Sequence, residues 1–333
     1  MYALLGICLA LASFFAINML ASVGASALWR FIETRTPRFS AQSRAEILFA
    51  LRIAAPALAA IFVGLFLVPA YIGYEPRATS EVVSLKLAVF ALVSAFGLAF
   101  ALSSACRSYL VTRALRRQWL AMSTEIHLPG INARSFRMSH SFPIIAVIGT
   151  IRPRLFIADQ VLQSLSAEEL AAAIAHECGH LAARDNLKRG LLRACRDALM
   201  IVPFGRSLDR SWAETAEAAA DEHAAHASAA VALNLASALV TIARMIPVGT
   251  HAELPLAAFL VGDEGRGVKA RVRRLLELAA LDGQTPTQRF SLGRFAPLFS
   301  VAFLVAVAAA VSTNHQILVT VHSLVEHVVS LLS

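Results

Sequence analysis

Charge is scarce in this sequence, and the scarcity is concentrated. Only 16% of the 333 residues are Asp, Glu, Lys or Arg, against about 25% in a typical soluble domain. From Tyr2 to Trp29 no side chain is charged. A single large core does not require such a run, whereas a helix crossing lipid does. Cysteine is also rare. Cys8, Cys106, Cys178 and Cys195 form no CxxC pair, which argues against a disulfide framework and against a thiolate zinc site. No Lys or Arg precedes Arg30, so the first apolar run lacks the basic start of a cleaved signal peptide. It is also about twice the ~7–15-residue length of a signal core, and reads as an uncleaved span. No basic stretch is interleaved with exposed aromatics, so the net charge of +8 is not a nucleic-acid signal and no direct nucleic-acid partner is expected.

What is present is apolar: 57% of the residues, with a mean hydropathy of +0.64. Blocks at about 2–29, 53–74, 87–106 and 295–313 each approach the ~20 residues that cross ~30 Å of hydrocarbon as helix. Arginines orient them. Arg30, Arg35, Arg38, Arg44 and Arg52 follow the first block, and Arg107, Arg113, Arg116 and Arg117 follow the third. By the positive-inside rule these loops face the cytoplasm of an inner, multi-pass membrane protein with extracytoplasmic termini. The expected organisation is three membrane helices in 1–112, a cytoplasmic domain in 113–294, a fourth span at 295–313 and an extracytoplasmic tail at 314–333. In that tail Leu318, Val321, Val325, Val328 and Leu332 form one stripe. It predicts an interfacial helix, or one that binds a sensor partner or a second copy.

Within the cytoplasmic segment the pattern changes. "FPIIAVIG" and "RPRLFIAD" are short apolar runs that predict a pair of strands. Ser166 with Glu169 three residues on makes a capping box, which starts a helix running from Ala167 to about Arg184. On it His176 and His180 are four residues apart, so both rings project from one face, and Glu177 lies about 100° away. Two neutral imidazoles with an adjacent carboxylate are what hydrolytic zinc chemistry uses. A third ligand must come from elsewhere. "SWAETAEAAADEHAAHASAA" predicts a second helix, on which Glu217 is the expected third ligand and Asp221, four residues on, the acceptor for the outer N–H of a ligating histidine. Glu214 is the nearest rival to Glu217. His223 and His226, about 240° and 180° round from Glu217, are candidates to stabilise an oxyanion. A further helix from Ala227 to Ile246, with Asn234, Ser237, Thr241 and Arg244 on a polar stripe, packs rather than reacts.

The stretch "GTIRPRLFIADQVLQSLSAEELAAAIAHECGHLAARDN" and the later "EAAAD" resemble the integral-membrane zinc metallopeptidases of the beta-lactam sensor and methicillin-resistance transducer type, which are related to the prenyl-protein endopeptidase and HtpX families. "KARVRRLLEL" looks like that family's basic helix before the last span. The resemblance implies a mainly α membrane protein with four transmembrane helices, and a gluzincin-type α+β domain inserted between the third and fourth. It implies Zn2+ on His176, His180 and Glu217, with Glu177 as general base. It also implies a protein or peptide substrate at the bilayer, a cytoplasmic repressor or the chain itself, and so a role in regulatory signalling. The substrate is expected to lie along an edge strand, with "FPIIAVIG" and "RLFIAD" as candidates. The antibiotic-sensing members continue into an extracellular penicillin-binding domain. Here only about twenty residues follow the last span, without Ser-x-x-Lys, so direct antibiotic sensing is not expected. Two other plans compete. One is a membrane signalling scaffold that keeps the zinc site but not hydrolysis. The other is a site-2-type intramembrane protease with Asp282 as third ligand, which the charges crowding both motifs disfavour.

Overall fold

The computed structural model of the chain describes residues 1–34, 39–77, 83–128, 133–199, 205–246, 265–281, 306 and 308–332. Three helical rods come first. They are α1 (Tyr2–Glu33), then α2 (Ala41–Phe62), which passes through a π turn at Val63–Leu67 into α3 (Val68–Tyr74), and α4 (Leu85–Ala121). Ser40 and Ser84 cap α2 and α4 by accepting the backbone N–H of Ser43 and Leu87, which satisfies donors that a helix start leaves orphaned. All three rods are long and apolar enough to cross a membrane, and only 22% of the most apolar window of each is buried within the protein. Leu92, Phe96 and Leu102 are exposed on α4, an apolar outer surface that lipid would cover.

The rods extend past their apolar blocks. α4 runs fifteen residues beyond Cys106, so the boundary expected near residue 112 falls inside one uninterrupted helix. In its last turn Trp119 enters the core of the mixed domain, edge-on to Phe156 at 5.3 Å. The fourth apolar block, at 295–313, lies largely outside the described residues, as does Asp282.

Four strands form the sheet, not two: β1 (Ser123–Ile126), β2 (Arg134–Met138), β3 (Ile145–Ile148) and β4 (Arg154–Ala158), in the order β1-β2-β4-β3. β1 is antiparallel to β2, β2 parallel to β4, and β3 antiparallel to β4. This corrects one expectation. β4, the "RLFIAD" strand, is paired on both sides and has no edge to offer a substrate, whereas among the described residues β3 is paired with β4 alone.

The helices that follow are α5 (Asp159–Ser164), α6 (Ala167–Ala183), α7 (Asp185–Ala198), α8 (Arg206–Ala225), α9 (Ala229–Met245), α10 (Gly265–Ala280) and α11 (His315–Leu332). The sequence between Ser211 and Ala230 is not one helix. It breaks at 226–228, where Ser228 caps α9 by accepting from Val231 N–H. Ala172 and Ala173 of α6 and Leu235 and Leu239 of α9 close over Ile145, Val147 and Phe156 of the sheet.

Two further clusters fix the rods. At one end Trp29, Ala45 and Leu48 pack with Leu192, Leu208, Trp212 and Ala216 of α7 and α8. At the other, Leu5, Leu9, Leu67, Tyr71 and Leu87 meet Val325 of α11. Part of the α11 stripe is therefore spent within the chain: Val321 is buried and Val325 packed, while Leu324, off the stripe, is exposed. Between the ends α7 runs close beside α4, where a Cβ on Gly97 would lie 2.4 Å from the carbonyl oxygen of Ala198. Only a residue without a side chain fits there.

Candidate metal centre

The site is built by α6 and α8, with corners supplied by α7 and α10. The capping box that starts α6 is formed as the sequence predicts: Glu169 N–H donates to Ser166 Oγ at 3.1 Å and Ser166 N–H to Glu169 Oε2 at 2.9 Å. One face of α6 then presents His176 and His180, with ring centroids 4.8 Å apart and planes at 88°. Gly179 lies toward α8, where a Cβ would sit 3.0 Å from Ala220 Cα. The missing side chain lets the two helices approach closely enough for α8 to deliver its carboxylates.

Glu217 arrives on that approach. Its Oε1 is 3.6 Å from His180 Nε2 and its Oε2 3.7 Å from His176 Nε2. One ligand atom from each of His176, His180 and Glu217 can be chosen with all three inside 4.8 Å of one another. Tetrahedral ligands about 2.0–2.1 Å from zinc are about 3.3 Å apart, so the set would draw in around an ion. Glu214, the rival, is exposed one turn back.

Both histidines are held from behind by a carboxylate. Asp221 Oδ1 is 2.9 Å from His176 Nδ1. Asp185 Oδ2 is 2.7 Å from His180 Nδ1. With Nδ1–H donating outward in each ring, both Nε2 atoms face Glu217. Asp185 was not foreseen in this role. It follows Arg184, whose left-handed backbone (φ 56°) turns the chain sharply from α6 into α7 and brings the carboxylate back to the ring. Next to it, Asn186 donates from Nδ2 to Val147 O on β3 at 2.9 Å.

Arg271 was not foreseen either. Reaching in from α10, it places Nε 3.0 Å from Asp221 Oδ2 and Nη2 2.7 Å from Asp221 Oδ1. Its Nη1 is 3.2 Å from Glu217 Oε2.

Electrostatics follow from burial and these neighbours. Burial pushes the Glu177 carboxyl up to about 8. Burial alone would lower His180, but the charge of Glu217 and the bond to Asp185 outweigh it and push the imidazolium up to about 10. Burial would raise Glu217, yet the charges of His180 and Arg271 hold it well below the usual carboxylate range. The site is thus a charged cluster in which a proton on His180 stands in for a cation. A divalent ion would displace it.

Four buried atoms test that fit. Both carboxylate oxygens of Glu177, Nε2 of His180 and Oε2 of Glu217 have no hydrogen-bond partner among the described residues. Orphaned polar atoms of this kind are rare in native interiors unless an ion, a water or a substrate satisfies them. A histidine, histidine and carboxylate set with an unsatisfied glutamate alongside fits a catalytic zinc site.

The two expected oxyanion histidines lie at the C-terminal end of α8. His226 Nδ1–H donates to the carbonyl of Glu222 at 2.8 Å on an exposed helix end, so that nitrogen is committed to its own helix. His223 is exposed, with its Cβ 3.2 Å from the Cβ position of Gly179. The site-2 arrangement is also unsupported, because the histidine pair lies on α6, which is not one of the long apolar helices. The described residues hold one other grouping of suitable donors, Glu75, His322 and Glu326, at the far end of the rods.

No curated protein matches the chain. Residues 110–254 match Peptidase family M48, a segment that runs from the last turns of α4 past α9 and contains the histidine pair, Glu177, Glu217 and Asp221. The finer likeness to the antibiotic-sensor type rests on the sequence motifs alone. Taken with the three long apolar helices, the match suggests a membrane-associated metallopeptidase of the M48 family.

Proposed function

We propose that the chain is a zinc metalloendopeptidase that cleaves a cytoplasmic or membrane-proximal polypeptide at the inner face of the membrane. The observation that carries this reading is the convergence of His176, His180 and Glu217 beside a buried Glu177 with no partner of its own. Zinc bound there supplies an acidified water and polarises the scissile carbonyl.

The rest is the work of the protein's own groups. His176 and His180 offer Nε2, because Asp221 and Asp185 hold their Nδ1–H. Glu177 takes a proton from the attacking water and returns it to the leaving amine. Its burial raises its proton affinity, which suits the return step. The substrate lies antiparallel or parallel to the open edge of β3, adding backbone hydrogen bonds; Asn186, which engages Val147 O, must yield or share that carbonyl.

The catalytic segment faces the cytoplasm, with both termini on the other side, on the strength of the arginine distribution. A regulatory role, by cleavage of a repressor or of the chain itself, rests on the resemblance to the sensor-type peptidases. A scaffold that ignores hydrolysis has no use for the Glu177 carboxylate.

The test compares wild type with Glu177→Gln by mass spectrometry of the protein and of the cytoplasmic proteome. Cleavage is expected to fall about 10²–10⁴-fold, the usual contribution of a general base. Chelation should abolish what wild type cleaves, and added zinc restore it. Cleavage that persists in excess chelator removes the metal from the reaction.

A further inference from the structure

We infer that Arg271 is a positioning residue for the metal centre: its guanidinium grips Asp221, and through it His176, and sets a fixed positive charge beside Glu217. The inference rests on the reading that His176, His180 and Glu217 hold a divalent cation. Arg271 lies beyond the 110–254 segment that matches the peptidase family.

The geometry is that of a clamp. Nε and Nη2 grip the two oxygens of Asp221 at 3.0 and 2.7 Å, the bidentate fork that arginine forms and lysine does not. Nη1 reaches Glu217 Oε2 at 3.2 Å. Nη2 also lies 3.4 Å from both ring nitrogens of His176, against the ring. The side chain is 12% exposed. Three groups that must keep fixed positions, two carboxylates and an imidazole, therefore share one rigid planar partner.

Glu217 is held by charge, not by a hydrogen bond. Its Oε2 lies 3.2 Å from Arg271 Nη1 and 3.7 Å from His176 Nε2 yet has no hydrogen-bond partner among the described residues, and Oε1 is 3.6 Å from His180 Nε2. Asp221 in turn holds His176, so a slackened Asp221 would loosen a second ligand as well. Charge alone gives Arg271 the opposite effect, because a guanidinium repels a divalent cation. Its net effect separates geometry from charge.

The clamp also has a fixed mount. One turn further along α10, Arg274 pairs with Glu222 Oε1, whose other oxygen accepts the N–H of Ala41 at 2.9 Å where α2 begins. Docking of α10 on α8 is thereby registered to the start of a membrane rod. Ion affinity at the site then depends on α10 being seated.

The test uses the full chain in detergent or nanodiscs, stripped of metal and titrated with zinc against a chelator of known affinity. Wild type, Arg271→Lys and Arg271→Met are compared, with circular dichroism to verify folding. Both variants are expected to bind zinc about 10–100-fold more weakly, the usual cost of losing an outer partner. In the cobalt-substituted protein the visible band, which reports ligand geometry, should shift in Arg271→Lys. Wild-type affinity in Arg271→Lys would make the effect one of charge and overturn the clamp. Equal or tighter binding by Arg271→Met would overturn it too. Failure of wild type to bind zinc would instead sink the metal-site reading on which the clamp rests.

Discussion

Two groupings of the same donor types sit at opposite ends of the rods. His176, His180 and Glu217 lie beside the Trp29–Trp212 cluster. Glu75, His322 and Glu326 lie past the end of α3, near the Tyr71–Val325 cluster. In the first, the histidine side chains are 0% and 3% exposed and each is backed by its own aspartate. In the second, His322 and Glu326 are i,i+4 neighbours at 3.4 Å, and Glu326 is 57% exposed. A hydrated carboxylate must give up water and rotamer freedom to hold an ion, whereas one already gripped by its neighbours gives up little. Both draw on imidazole and carboxylate donors, two and one in the first and one and two in the second; the supporting carboxylates and the burial also differ.

Breaking the support should degrade the first grouping toward the second. Asp185→Asn and Asp221→Asn are each expected to weaken zinc binding about 10–100-fold, measured by chelator competition, with one zinc per chain still reached at saturation. Acidity should have a graded effect, small for each step in pH. His180 is pushed up to about 10, so zinc displaces a proton throughout the neutral range, and affinity should fall up to about tenfold for each unit of pH lost between 8 and 6. An affinity independent of pH would mean that His180 is already neutral. The smallest effect sharpens the contrast from the other side. Glu75→Gln, His322→Asn and Glu326→Gln together should leave both the zinc content and the cleavage rate of wild type unchanged, as read by elemental analysis and peptide hydrolysis.

The parts of the centre legible in the sequence are those set by helical spacing. His176 and His180, and Glu217 and Asp221, are i,i+4 pairs, so rotation per residue places them on common faces without tertiary knowledge. Asp185 needed the left-handed turn at Arg184, a conformation that a non-glycine residue seldom announces. Arg271 lies 50 residues beyond Asp221 on a helix whose composition reads only as basic. The two missed strands are four and five residues long, and β2 alternates charged Arg134 and Arg137 with buried positions, a pattern too short to separate from loop. The apolar blocks at about 2–29, 53–74 and 87–106 were clear, but the ends of their helices were not, because charged residues continue a helix as readily as they leave a bilayer.

The lack of any break in α4 has a mechanical consequence. About 55 Å of rigid rod is long and apolar enough to cross a membrane, and its final turn is wedged by Trp119 against the Phe156 ring of the central strand. With no hinge to absorb it, a tilt imposed by a thinner or thicker bilayer would be levered straight into the strand layer that lies under the helix carrying His176 and His180.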